Sequence, residues 1–238
     1  MQWDDFPKKG KVIAIDGPAG TGKSSIARTL SEDLKWNHID TGALYRSIAY
    51  LCLEQGIDLG TLGDSEFSKE SQNKIIELAK KADFQFVRKE NLNPSLRVFV
   101  NEIDVTNEIR SSQVSAGASR VSSLPEVRQA LLEVQRKLGC KGNSLLEGRD
   151  IGTVIFPDAD YKFYLTASSR VRAQRRLKDL QEQGESPSLE DLQQQIEQRD
   201  EADMNRSTAP LKKAADAIEI DTTDLSFEQV IEKMKSYL

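Results

Sequence analysis

Gly17-Pro18-Ala19-Gly20-Thr21-Gly22-Lys23-Ser24 fits the spacing G-x-x-x-x-G-K-[ST] in full, and Ser25 extends the same stretch by one more hydroxyl. Glycines at these positions let the backbone curl so that successive N–H groups point inward at phosphate oxygens. Lys23 adds a movable cation for β- and γ-phosphates, and the Ser24 hydroxyl suits a Mg²⁺ ligand. The stretch therefore predicts binding of a nucleoside triphosphate with Mg²⁺. It says nothing about what receives the phosphate.

Arginines in unusual settings supply a second kind of chemistry. Arg46 comes directly after Asp40-Thr41-Gly42-Ala43-Leu44-Tyr45, and Arg149 lies in Glu147-Gly148-Arg149-Asp150. Arg172, Arg175 and Arg176 share a helix face by their spacing, as do Arg199, Asp203 and Arg206. An acceptor that carries its own phosphate needs several cations, and the guanidinium fork is bidentate and always charged. The spacing alone leaves another reading open: two solvated helices laced by ion pairs such as Asp179 with Arg175.

The elements that must position these groups read as an α/β layer fold. Lys11–Asp16 is an apolar run without alternation, as in a strand buried on both faces. Ser24–Leu34 comes next with Ile26, Leu30 and Leu34 four apart, so a helix N-terminus faces the same anion. Further strands are expected near 37–40, 144–147, 161–165 and 217–221. Helices are expected near 42–53, 126–138, 169–183, 188–206 and 226–237. Arg46 and Arg149 then lie just past strand ends, where open parallel sheets bind ligands. Short alternating segments at 84–87, 96–100 and 103–105 break this rhythm, and about 61–112 reads as an inserted lobe. The polar connector 183–187 makes 170–206 a candidate lid.

Of the 238 residues, 38% are hydrophobic and 30% charged, which fits a soluble globular chain with a real core. The net charge of −5 argues against nucleic acid or an acidic membrane as partner. Two cysteines are too few for a disulfide framework, and a single histidine, His38, excludes a multi-histidine metal site. His38 itself reads as a satisfied strand residue. No apolar stretch reaches 18 residues, and residues 1–10 read as a loose extension without a secretory signal. A cytoplasmic monomer acting on small molecules is the expectation.

Seven motifs occur in order: the phosphate loop, Asp40–Arg46, Glu147–Thr153, Phe156–Ala159, Arg199–Arg206, Ala209–Leu211 and Ile220–Thr223. As a set they resemble bacterial-type cytidylate kinase, a nucleoside monophosphate kinase, from about Lys11 to the C-terminus. The resemblance implies a three-layer P-loop kinase fold with a five-stranded parallel sheet, a small inserted α+β lobe and a helical lid. It implies ATP-dependent phosphorylation of CMP and dCMP, with Gly17, Pro18, Ala19, Gly20, Thr21, Gly22, Lys23, Ser24 and Ser25 on ATP. Thr41 and Arg46 match positions that hold the acceptor's monophosphate, and Arg149 matches a phosphate-binding arginine. Ser119, Arg128 and Asp150 match positions around the cytosine ring. Arg199, Asp203 and Arg206 match acceptor-side positions, and Arg172, Arg175 and Arg176 resemble lid arginines that act on the transferring group with Lys23.

Cytosine offers a donor at N4 and acceptors at N3 and O2. Asp150 suits the first and Arg128 the others, whereas uracil reverses the pattern at positions 4 and 3. Glu147 stands where some members carry Asp and receives no firm catalytic role, although its chemistry suits a contact with Mg²⁺-bound water. Asp16 reads equally as a group near magnesium or as the end of its strand. Two rival readings stand beside this one. One is a P-loop kinase for another acceptor, such as UMP or a shikimate-like hydroxyl. The other is a nucleotide-binding switch, which the missing N-K-x-D pattern disfavours.

Overall fold

In the computed structural model, residues 8–60, 64, 66–88, 96–182 and 184–238 are described. Residues 1–7 of the expected extension, parts of the expected lobe and Gln183 of the expected connector lie outside them. The chain divides into two compact units, one formed by residues up to Ile39 together with Leu138–Leu238, the other by Asp40–Lys137.

Strand β1 (Val12–Asp16) is buried along its whole length, as its unbroken apolar run predicts. Helix α1 (Lys23–Leu34) turns Ile26, Ala27 and Leu30 inward. Strand β2 (Asn37–Asp40) ends at the border of the first unit.

The second unit holds α2 (Thr41–Glu54), α3 (Lys69–Lys81), β3 (Phe84–Arg88), β4 (Leu96–Val100), β5 (Ile103–Asp104), α4 (Ser112–Val121) and most of α5 (Pro125–Gly139). β3, β4 and β5 form an antiparallel sheet of their own. Leu44, Ile48, Ile75, Ile109, Val121 and Leu131 share its core. That shared core is why this unit extends on both sides of the segment 61–112. α3 is not apparent in the sequence, because only Ile75 and Ala79 of its 13 residues are buried and the apolar stripe is too narrow to read.

The chain returns to the first unit with β6 (Ser144–Gly148), β7 (Tyr161–Thr166), α6 (Ser169–Glu182), α7 (Leu189–Asn205), β8 (Ile218–Asp221) and α8 (Phe227–Lys235). The five strands line up as β2-β6-β1-β7-β8. The register is parallel and level: Asp16 lies opposite both Gly148 and Tyr164. β1 and β6 thus end level, and β7 runs two residues further, to Thr166. Ile13, Ile15, Leu145, Phe163, Leu165 and Ile220 fill the sheet's core, with α1 and α8 packed on it. α6 and α7 enclose a small core of their own, Ala173, Leu180, Leu192 and Ile196. This is the α/β sheet architecture expected from the sequence.

Candidate active site

The turn after β1 takes its shape from glycine. Gly17 has φ +144°, and a Cβ there would lie 2.1 Å from the Leu165 carbonyl oxygen, so only glycine fits. Gly22 is left-handed and leads into α1 with no side-chain cap. The first-turn N–H groups of α1 are therefore left to a ligand or solvent, with the positive helix end behind them. Lys23 folds back over the turn, donating to the Pro18 carbonyl at 2.5 Å and to Thr21 Oγ1 at 3.2 Å. Burial pushes the Lys23 ammonium well below its ordinary value, and Arg149 pushes in the same direction.

Asp16 closes β1. Its two carboxylate oxygens accept the backbone N–H groups of Ile151 (2.8 Å) and Gly152 (2.7 Å). The segment Ile151–Ile155 is a short π-helical turn that the sequence does not announce. Asp16 anchors its first residues, and so fixes where the chain turns after Arg149 and Asp150. Through these contacts the end of β1 holds the next loop.

Arg149, Asp150, Asp203 and Arg206 form one network beyond β6. Arg149 Nε donates to Asp203 Oδ2 at 2.9 Å, and Arg206 Nη1 to Asp203 Oδ1 at 3.1 Å. Arg206 Nη2 reaches Asp150 Oδ1 at 3.4 Å, and its Nε donates to the Ala209 carbonyl at 2.7 Å. Burial alone would raise the Asp203 carboxyl, but Arg149, Arg199 and Arg206 overcome it and hold the group below the usual range. The i, i+3 spacing of Asp203 and Arg206 thus becomes a real pair, while Arg149 joins from 54 residues away.

Arg172, Arg175 and Arg176 of α6 diverge. Arg172 is buried and binds Asp200, the Ala167 carbonyl and the Ala19 carbonyl. Arg175 donates to Thr222 Oγ1 (3.0 Å) and to the Thr222 carbonyl (2.6 Å). The pairing of Arg175 with Asp179 offered by the solvated-helix reading gives way to these bonds, because Arg175 reaches the end of β8 instead. Asp179 feels the charge of Arg176.

In the second unit, Asp40 caps α2 by accepting the Ala43 N–H at 3.1 Å and binds Arg46 Nη2 at 2.7 Å. Thr41 is buried at the first position of α2. Arg128 is buried, lies 5.3 Å from the Tyr45 ring centre, and donates to the Ser122 carbonyl at 3.4 Å. Ser119 lies on α4, and its hydroxyl oxygen is buried with no hydrogen-bond partner among the described residues.

Three residues enter the site that sequence reasoning gave no firm part. Glu147 Oε2 accepts the Ser24 hydroxyl at 2.6 Å, and its Oε1 lies 2.9 Å from His38 Nε2. Asp200 Oδ1 accepts the Ala19 N–H at 3.3 Å. The only signal for Asp200 was its place beside Arg199. For His38 it was its place two residues before the end of a strand.

A triphosphate loop at the carboxyl edge of a parallel sheet, beside buried arginines steered by carboxylates, is the equipment of a P-loop kinase. The cytidylate kinase family model matches residues 13–238. The chain is 44% identical to a cytidylate kinase of Clostridioides difficile, over 94% of this chain and 96% of that one. It is 45% identical to one of Azotobacter vinelandii, over 94% and 93%. It is also 45% identical to a bifunctional pantoate ligase/cytidylate kinase of Synechococcus, covering 96% of this chain and 41% of that longer one. The chain belongs to the cytidylate kinase family.

Proposed function

We propose that the protein transfers the γ-phosphoryl group of ATP to CMP and dCMP, yielding CDP and dCDP. Family membership supports the substrate class. The observation that carries the reading is the Arg149–Asp203–Arg206–Asp150 network, which stands at the same sheet edge as the phosphate loop. Paired carboxylates keep these arginines oriented and charged while they wait for an anionic acceptor. On this reading Thr41, Arg46 and Arg149 take the acceptor's phosphate, and Arg199, Asp203 and Arg206 its sugar end. Ser119, Arg128 and Asp150 take the cytosine. The buried, unpartnered Ser119 hydroxyl supports such a role, because a ligand would supply the missing bond.

Mg²⁺ fits the residues present. The Ser24 hydroxyl and the Glu147 carboxylate beside it are hard oxygen donors. When bound, Mg²⁺ supplies charge neutralisation at the phosphates, with Ser24 as its protein ligand.

The chain's own residues do the rest. The loop N–H groups and Lys23 hold the triphosphate, and the acceptor's arginines offset the repulsion between two anions. The attacking phosphate oxygen needs no strong general base. Arg172, Arg175 and Arg176 complete the charge around the transferring group as α6 and α7 close, and closure excludes water. A cytoplasmic monomer that binds no nucleic acid accords with this reading.

The test is ADP formation from Mg·ATP with CMP, dCMP, UMP, AMP and GMP in turn, and with no acceptor. Strong turnover with CMP and dCMP alone is expected. Preference for another monophosphate would remove the cytosine assignment, and ATP binding without acceptor-dependent turnover would remove the transfer itself.

A further inference from the structure

His38 is the only histidine of the chain, and it is buried in β2. Its Nε2 faces Glu147 Oε1 at 2.9 Å. A carboxylate only accepts, so Nε2 carries the hydrogen. Nδ1 is buried with no hydrogen-bond partner among the described residues. An Nε2–H donor at this distance sets the direction of the carboxylate it holds.

Glu147 lies on β6, the neighbour of β2 in the sheet, and its second oxygen accepts the Ser24 hydroxyl at 2.6 Å. Ser24 is in the first turn of α1. A glutamate has three side-chain torsions and would sample several rotamers if held at one oxygen only. A histidine projecting from a strand has a fixed reach. The chain His38–Glu147–Ser24 therefore locks a negative charge and a hydroxyl oxygen at the mouth of the phosphate loop.

We propose that His38 is a positioning residue for the divalent cation that accompanies the nucleotide: its Nε2–H holds Glu147 so that the other carboxylate oxygen stays on Ser24. This rests on the phosphoryl-transfer reading, though not on the identity of the acceptor. Partners that orient metal-site carboxylates are commonly worth about ten- to a hundredfold in metal affinity.

The experiment measures binding of the non-hydrolysable analogue adenylyl imidodiphosphate by calorimetry, once with Mg²⁺ and once with EDTA, and without any acceptor. His38→Leu should reduce the gain in affinity that Mg²⁺ brings by about tenfold while leaving affinity in EDTA unchanged. His38→Gln, whose amide N–H reaches the same place, should restore most of it. Equal weakening in both conditions, or Leu and Gln variants that behave alike, would overturn the proposal.

A second measurement needs no variant. The ring nitrogens of the single histidine should show hydrogen on Nε2 in the NMR spectrum. They should also shift when Mg²⁺ is added to the analogue-bound wild type. Resonances that ignore Mg²⁺ would overturn the proposal even if His38→Leu failed to fold. If these results held while the acceptor assay failed with CMP, the cytidylate reading would fall and the role of His38 would stand.

Discussion

Arg172 and Asp200 are bound to each other and also to the same residue of the phosphate loop. Arg172 Nη1 donates both to the Asp200 carboxylate and to the Ala19 carbonyl at 2.9 Å, and Asp200 Oδ1 accepts the Ala19 N–H at 3.3 Å. The base of the α6–α7 pair is thus tied to both sides of one loop residue. A displacement of these helices would therefore pull on the loop at Ala19.

That tie should be visible as energetic coupling. Asp200→Ala leaves the buried Arg172 guanidinium without its carboxylate and should cost about 3 kcal/mol. The double variant Arg172→Met, Asp200→Leu should lose clearly less than the sum of the two single changes. Thermal or urea unfolding measures this, and additivity within about 0.5 kcal/mol would show the pair to be uncoupled.

Lys23→Ala should lower phosphoryl-transfer turnover by at least about a hundredfold, since one preorganised cation is lost from the site. The fold should survive. Lys23 is buried and its ammonium is held well below its ordinary value, so its charge works against folding at neutral pH. An unfolding midpoint equal to or above that of the wild type is expected. Normal turnover in a folded variant would remove Lys23 from the site.

Asp16 should leave a mark on the pH dependence of stability. Burial pushes its carboxyl up to about 6, although the Ile151 and Gly152 N–H groups pull it down. An acid with a raised folded value binds more protons folded than unfolded. Its contribution is therefore fully present below about pH 4 and is lost as pH rises towards about 6, by at most about 3 kcal/mol. Asp16→Asn should remove that slope. Denaturant midpoints across this window, wild type against variant, isolate it from other carboxylates. Parallel curves would assign the slope elsewhere.

Asp150→Asn should narrow the preference for CMP over UMP by about tenfold while ATP affinity changes little. Asn presents an N–H₂ that suits the uracil O4, and it weakens the contact to Arg206. Steady-state rates with both monophosphates measure this. An unchanged ratio would exclude Asp150 from base reading.

Much of this arrangement was legible in the residue order. The unbroken run Val12–Asp16, the glycine spacing to Gly22 and the four-residue period of Ile26 and Leu30 make a strand, a phosphate loop and a helix before any packing is known. These signals are local: buried strands need continuous apolar runs, and tight anion-binding turns need glycine. The i, i+3 relation of Asp203 and Arg206 is local too, and it appears as written.

Which partners the charged groups take was not local. Periodicity put Arg172 and Arg175 on one face, but one reaches Ala19 and Asp200 and the other Thr222. His38 and Glu147 are 109 positions apart, and Asp16 and Gly152 are 136 apart. They meet because the strand order β2-β6-β1 sets β6 between the other two strands, with β6 and β1 ending level. The sequence by itself determined the strands of the parallel sheet, the glycine turn after the first of them and most of the helices, though not α3, α4 or the turn at Ile151–Ile155. The tertiary structure alone decided how buried charges pair, because a side chain removed from water must take whichever partner the sheet brings within hydrogen-bond reach.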